Sequence, residues 1–223
     1  AKHRAMERFN LSASELPYFR TLHSLAYLQI GILRNQIMNR KNFEEVSQWL
    51  KIGTFFGNEQ ESGPFKDFGY GDKYLELINI ARITQIPLKQ IYKESPSRHL
   101  VTWQNLEYVA RGLSHYNKVH SLFDYTDMLE QFVLGGFCPK LEVVIIDEAQ
   151  DLSALQWQMV HQIANKADHV YIAGDDDQAI YRWAGADIDH FINLDGTVHT
   201  LSQSFSIPKS HHQLSQRLLK SDY

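Results

Sequence analysis

At 223 residues with 43% hydrophobic side chains, the chain can bury a sizeable core as one large domain or two small ones. A formal net charge of −4 argues against a passive nucleic-acid coat, which carries a basic surplus, but allows local grip on DNA. One cysteine, Cys138, excludes an internal disulfide; the His and Cys spacing suggests no zinc site, no apolar run is long enough for a membrane helix, and the first nine residues lack a signal-peptide core. The expectation is a cytoplasmic, intracellular protein with no membrane partner.

Residues 1–9 carry Lys2, Arg4, Glu7 and Arg8 at spacings that suit an exposed helix face. Residues 17–23 read as a strand, followed by Ser24 as N-cap of a helix over residues 25–37. From residue 34 to about residue 120 helical periodicity takes over. Phe43, Val46, Trp49 and Leu50 make one apolar face. Tyr74, Leu75, Ile78, Ala81 and Arg82 make a second before a stop at Pro87, and Trp103, Leu106, Ala110, Leu113 and Asn117 a third. Between the first two, residues 53–71 hold five glycines and Pro64, which predicts a long loop. The Trp and Phe residues here read as core, and Arg34, Arg40 and Lys41 as a solvated helix end. Thr126 is expected to cap a helix running to Leu134 and ended by Gly135 and Gly136, with Cys138 a small buried side chain after it.

The stretch that organises the chain follows. Val143, Val144, Ile145 and Ile146 form an uninterrupted β-branched run, the pattern of a parallel strand buried on both faces. Asp147 and Glu148 come next, at the carboxyl end of the strand, where open α/β sheets bind ligands. Adjacent side chains there point different ways, so one can hold a metal while the other faces a water. That division suits phosphoryl transfer, with Asp147 on Mg²⁺ and Glu148 as general base. A bare Asp-Glu pair caps helices equally well, so the residues beyond it decide. Leu152, Leu155, Met159, Val160 and Ile163 share one face of a helix over residues 152–166, which returns the chain to a strand at residues 169–173 in a right-handed βαβ unit. Gly174, Asp175, Asp176, Asp177 and Gln178 then arrive at the same sheet edge. Residues 198–201 read as a last strand, and a helix starts at His211.

Asp-Glu-Ala-Gln-Asp at 147–151 and Gly-Asp-Asp-Asp-Gln-Ala-Ile-Tyr-Arg-Trp-Ala-Gly-Ala-Asp at 174–187 resemble motifs II and III of superfamily 1 DNA helicases of the UvrD/Rep/PcrA type. Residues 1–9 resemble the helical tail of motif Ia. Thr21, Leu22, His23 and Ser24 resemble motif Ib, and Leu-Ser-Gln-Ser-Phe-Ser-Ile-Pro at 201–208 resembles motif IV. Residues 123–129 are similar, in divergent form, to the segment that precedes motif II.

The resemblance implies an α/β fold: a partial RecA-like parallel sheet domain (1A) with an inserted all-helical subdomain (1B). Residues 1–33 would be the first part of 1A and 34–120 the insert. Residues 121–205 would be the second part, with motifs II and III, and 206–223 the start of a connection to a second motor domain. It implies a fragment of an ATP-dependent DNA helicase that translocates on single-stranded DNA and unwinds duplex with Mg-ATP. Asp147 would hold Mg²⁺, Glu148 activate water and Gln178 sense the γ-phosphate, while Gln150 and Asp151 couple nucleotide and DNA sites. Thr21, His23 and Ser24 would touch DNA phosphates, which positions a strand without reading its sequence. Trp183 would stack on a base, and Tyr181 would line the same groove.

Two departures stand out. The 223 residues contain no Gly-x-x-x-x-Gly-Lys-Ser/Thr, the loop that cradles phosphates. The expectation is that it lies just upstream and that the chain alone is inactive. Ser206 stands where the family usually carries an arginine that stabilises the transferring phosphoryl group. One alternative is a non-catalytic single-stranded DNA-binding or regulatory module. Another is a metal-dependent nuclease built on Asp147, Glu148 and Asp175 to Asp177, which lacks a further element.

Overall fold

The computed structural model describes residues 2–52, 70–201, 208, 210–211 and 213–215. Its helices are α1 (Lys2–Phe9), α2 (Leu22–Ile30), α3 (Arg40–Leu50), α4 (Tyr70–Thr84), α5 (Leu88–Glu94), α6 (Trp103–His120), α7 (Tyr125–Gly135), α8 (Ala154–Ala164) and α9 (Ile188–Ile192). Two strands, β1 (Val143–Ile146) and β2 (His169–Ile172), lie parallel in the register Val143 to His169 through Ile146 to Ile172, with α8 as the crossover between them. A β-branched run followed by an amphipathic helix and a second short apolar run thus becomes one βαβ unit.

Helices cover one face of this sheet. Val144 of β1 packs with Leu25 and Ala26 of α2, Met128, Leu129 and Phe132 of α7, and Leu155, Met159 and Ile163 of α8. The other face is open among the described residues: Ile145 is 71% exposed and Tyr171 60%. The expectation of a strand buried on both faces is therefore corrected to one buried face, because no described element packs on the other. The expected strand at residues 198–201 is also absent. A strand needs a ladder partner, and Val198 and Leu201 are exposed in irregular backbone. Residues 202–207, including Ser206, lie outside the described set. The helix expected from residue 211 is seen as helical backbone at 210–211 and 213–215.

Caps explain the remaining differences. Residues 17–23 form turns and the start of α2 instead of a strand, since Thr21 Oγ1 accepts the Ser24 N–H at 3.2 Å and opens the helix one turn early. Ser24 is thus inside the helix, not its cap. Gly31, at φ +68°, ends it well before residue 37. In α7 the cap is Asp124 rather than Thr126: Asp124 and Asp127 exchange side chain to backbone bonds in a reciprocal box. Thr126 instead donates its hydroxyl to Asn79 Oδ1 at 2.6 Å, and Gly136 ends the helix at φ +65°. Of the expected loop over residues 53–71, Tyr70 and Gly71 belong to α4, and 53–69 lie outside the described residues.

Helices α3, α4 and α6 enclose a second core around Val46, Leu50, Leu77, Leu106, Val109 and Leu113. Trp49 departs from the core expectation. It lies off the Val46 and Leu50 stripe, more than half exposed, and stacks on His115 at 5.9 Å. Cys138 is half-buried rather than buried, and burial pushes its thiol pKa up. Arg40 and Lys41 pair with Glu44 and Glu45 one turn on, at 3.1 and 3.9 Å, as a solvated helix face does.

Between α4 of the second core and α7 of the sheet half lies a shared cation. Arg82 of α4 reaches three carboxylates of α7 and its cap: Asp124 at 2.7 Å, Asp127 at 2.5 Å and Glu130 at 2.8 Å. Burial alone would lower its pKa, but Glu130, Asp124 and Asp127 outweigh that and hold the guanidinium firmly charged. No helix among the described residues is long and apolar enough to cross a membrane.

Candidate active site and nucleic-acid interface

The chain leaves β1 at Ile146 and turns sharply. Glu148 sits at φ +53°, ψ +43°, a left-handed conformation that costs a β-carbon-bearing residue about 1–2 kcal/mol. The corner starts a single 3₁₀ turn, Ala149–Asp151, and keeps both Asp147 and Glu148 exposed at the strand end. Backbone pairing continues past the strands: Ala173 N–H donates to Ile146 O at 2.8 Å and Ala149 N–H to Ala173 O at 3.0 Å. The loops after β1 and β2 are thereby drawn together.

Gln150 joins their side chains. It is 2% exposed, donates its amide to Glu148 Oε2 at 2.8 Å, and accepts the Asp175 backbone N–H at 3.1 Å. Gly174 makes room for it, since a Cβ there would fall 2.7 Å from Gln150 Oε1 and 2.7 Å from the Phe191 ring. Asp175 carries the link onward, taking the Asp177 N–H at 3.2 Å and an N–H from the Gln178 amide. Glu148, Gln150, Asp175 and Gln178 therefore form one hydrogen-bonded edge, with Asp147 adjoining through the Glu148 N–H to its Oδ1 at 3.1 Å. Asp151 ends the 3₁₀ turn. Burial raises its pKa, and the neighbouring Glu148 charge adds to the effect.

Asp147 suits an open Mg²⁺ site. Magnesium is usually held by one or two carboxylates together with substrate phosphates and waters, and Asp147 presents one exposed carboxylate. Among the described residues no group of three or more His, Cys, Asp or Glu side chains is arranged to enclose a metal.

The residues expected on DNA fall into two groups. Thr21, His23 and Ser24 occupy the start of α2, with the Thr21 hydroxyl used as cap and the Ser24 hydroxyl accepting from Arg20 Nη1 at 3.2 Å. Burial lowers the His23 pKa from its ordinary value. Tyr181 and Trp183 stand on the loop after Gln178, and Trp183 is 79% exposed. That exposure keeps the Trp183 ring out of the core. The turn Arg182–Ala184 presents it, Gly185 at φ +96° closes the turn, and Asp187 N–H returns to Leu152 O at 2.8 Å.

Sequence reasoning missed Asp175 as the link to Gln178, although its place directly after the glycine of a strand-end turn was a usable signal. It also missed Arg20, which carries no pattern of its own.

The family description "UvrD/REP helicase N-terminal domain" matches residues 1–199. The chain is 26% identical over 190 residues to DNA helicase II of Haemophilus influenzae, across 84% of this chain and 23% of that protein. It is 30% identical over 95 residues to ATP-dependent DNA helicase PcrA of Bacillus subtilis, across 40% of this chain and 13% of that one. PcrA of Staphylococcus epidermidis shares 38% over 56 residues, 25% of this chain and 8% of that protein. The chain thus spans less than a quarter of each relative's length.

Proposed function

The chain belongs to the UvrD/REP helicase N-terminal domain family, and from that premise we propose that it supplies the water-activating edge and part of the single-strand grip of an ATP-dependent DNA helicase. The whole motor would translocate on single-stranded DNA and unwind duplex, with a second motor domain as partner. The observation that carries this reading is Gln150, buried and bonded at once to Glu148 and to the loop leading to Gln178.

Within that reading each side chain has a task. Asp147 holds Mg²⁺, which when bound offsets phosphate charge and orients the phosphate oxygens. Glu148 takes a proton from the attacking water, with its Oε2 held by the Gln150 amide. Gln178 both donates and accepts, so a phosphate oxygen can compete with Asp175 for its N–H and report nucleotide state along the edge. Thr21, His23 and Ser24 position a DNA backbone, while Trp183 and Tyr181 offer aromatic faces to unstacked bases.

Base stacking on an aromatic contributes about 1–3 kcal/mol. Trp183→Ala should therefore raise the Kd for a labelled oligo(dT) about 5- to 150-fold in fluorescence anisotropy. An unchanged Kd would remove Trp183 from the grip. The exposed Trp183 also fits a second reading, a non-catalytic single-strand binding module. That reading requires tight, salt-sensitive binding by this chain unaided.

A further inference from the structure

Two histidines outside the site described above meet at the surface. His161 lies in the last turn of α8 and His190 in α9, 29 residues apart in sequence, and their Nε2 atoms are 2.7 Å apart. No short sequence spacing announces such a pair. The ring centroids are 4.8 Å apart and the planes cross at 64°, so the rings meet through their nitrogens rather than face to face. His161 is exposed and His190 half-buried.

Both rings are held by packing. Trp157, one turn before His161 on α8 and 1% exposed, lies 4.6 Å from the His190 ring and 6.0 Å from that of His161. The start of α9 is tied to the entry of α8: Asp187 N–H donates to Leu152 O at 2.8 Å, the Asp187 carboxylate accepts the His190 N–H at 3.1 Å, and Ile188 is buried. Two imidazoles on separate elements are thus set in place before any ligand arrives.

As a hydrogen bond, the pair uses one Nε2–H as donor and the other Nε2 lone pair as acceptor. A shift of that proton to Nδ1 of the donating ring leaves two lone pairs facing one point, with no net proton lost. Two nitrogens on one metal, each about 2.0–2.1 Å from it, stand roughly 2.9–3.4 Å apart for angles between square and tetrahedral. The observed 2.7 Å falls just short of that range, within reach of a small ring rotation.

We propose that His161 and His190 form a binding site for a divalent first-row transition metal that favours imidazole, such as Zn²⁺ or Cu²⁺, and that the bound ion staples α9 to α8. Among the described residues no third His, Cys, Asp or Glu completes a cluster, so water fills the remaining coordination positions. Mg²⁺ prefers oxygen ligands, which separates this site chemically from Asp147. The inference stands independently of the nucleotide and DNA readings above.

The test is calorimetric titration of the chain with Zn²⁺ near neutral pH, with thermal unfolding measured with and without the ion. The parent is expected to bind Zn²⁺ and to unfold at a higher temperature in its presence, since a ligand of the folded state stabilises that state. His161→Ala and His190→Ala should each weaken binding about tenfold or more and remove the thermal shift, because each leaves a single imidazole. His115→Ala, which deletes an imidazole of α6 stacked on Trp49, should bind as the parent does. Cu²⁺ gives a second readout: it should quench part of the tryptophan fluorescence through Trp157, and lose that effect in both pair variants. His161 is exposed, so its replacement leaves the core intact, and unfolding without the ion checks this. If the parent binds no Zn²⁺, or if folded His161→Ala binds it as tightly as the parent, the metal site is overturned and the contact is a hydrogen bond alone.

Discussion

Arg82→Leu is expected to lower the unfolding free energy by about 3–5 kcal/mol, the range for removing one partner of a buried ion cluster. The cost arises less from lost attraction than from what remains: Asp124, Asp127 and Glu130 converge on the guanidinium, and without it three partly buried carboxylates face one another. Arg111→Ala is the contrast. It breaks an exposed pair with Glu107 on one helix and should cost at most about 0.5 kcal/mol. Chemical denaturation of both variants measures the difference. The pH dependence has a definite sign. Asp124 already has a raised pKa through burial, which Arg82 partly opposes. In the Leu variant that opposition is gone, so the folded state binds the proton still more tightly than the unfolded chain. The variant should then lose stability as pH rises above the usual carboxylate range and recover part of it as pH falls toward about 5. A penalty that is the same at pH 5 and pH 8 would count against the carboxylate cluster as its source.

Glu148→Gln is expected to reduce kcat for ATP hydrolysis about 10²- to 10⁴-fold, the usual worth of a positioned general base. The measurement needs a polypeptide that joins this chain to a phosphate-binding loop and a second motor domain. The substitution is close to a pure charge change. The new amide oxygen can still accept from Gln150, and the left-handed backbone at that position is retained. Nucleotide affinity and thermal midpoint should therefore hold while turnover collapses. A fall of only a few-fold would move the base elsewhere.

Both predictions depend on features that the sequence carries unequally. The Val143–Ile146 strand, the following helix and the second strand were legible because each is a local pattern, and the placement of Asp147, Glu148 and Gln178 at one sheet edge followed from their position after those strands. Arg82 was not. Its partners lie 42 to 48 residues away, and on its own helix it marks only a turn before a proline. The Glu148 corner was also invisible, because a left-handed glutamate has no compositional cue of the kind glycine gives. Residues 17–23 misled for the opposite reason: Tyr18, Phe19 and Leu22 look strand-like, but the Thr21 cap is the stronger local signal. At α7 two caps competed, and the Asp124 to Asp127 spacing decides between them.

The most direct test of the central claim, that these residues form one edge of a motor and not a complete motor, is ATP turnover by residues 1–223 alone with Mg²⁺ and single-stranded DNA. Without the phosphate-cradling sequence, turnover should stay at background and be the same for the parent and Glu148→Gln. Efficient turnover by the chain alone, abolished by Glu148→Gln, would contradict it.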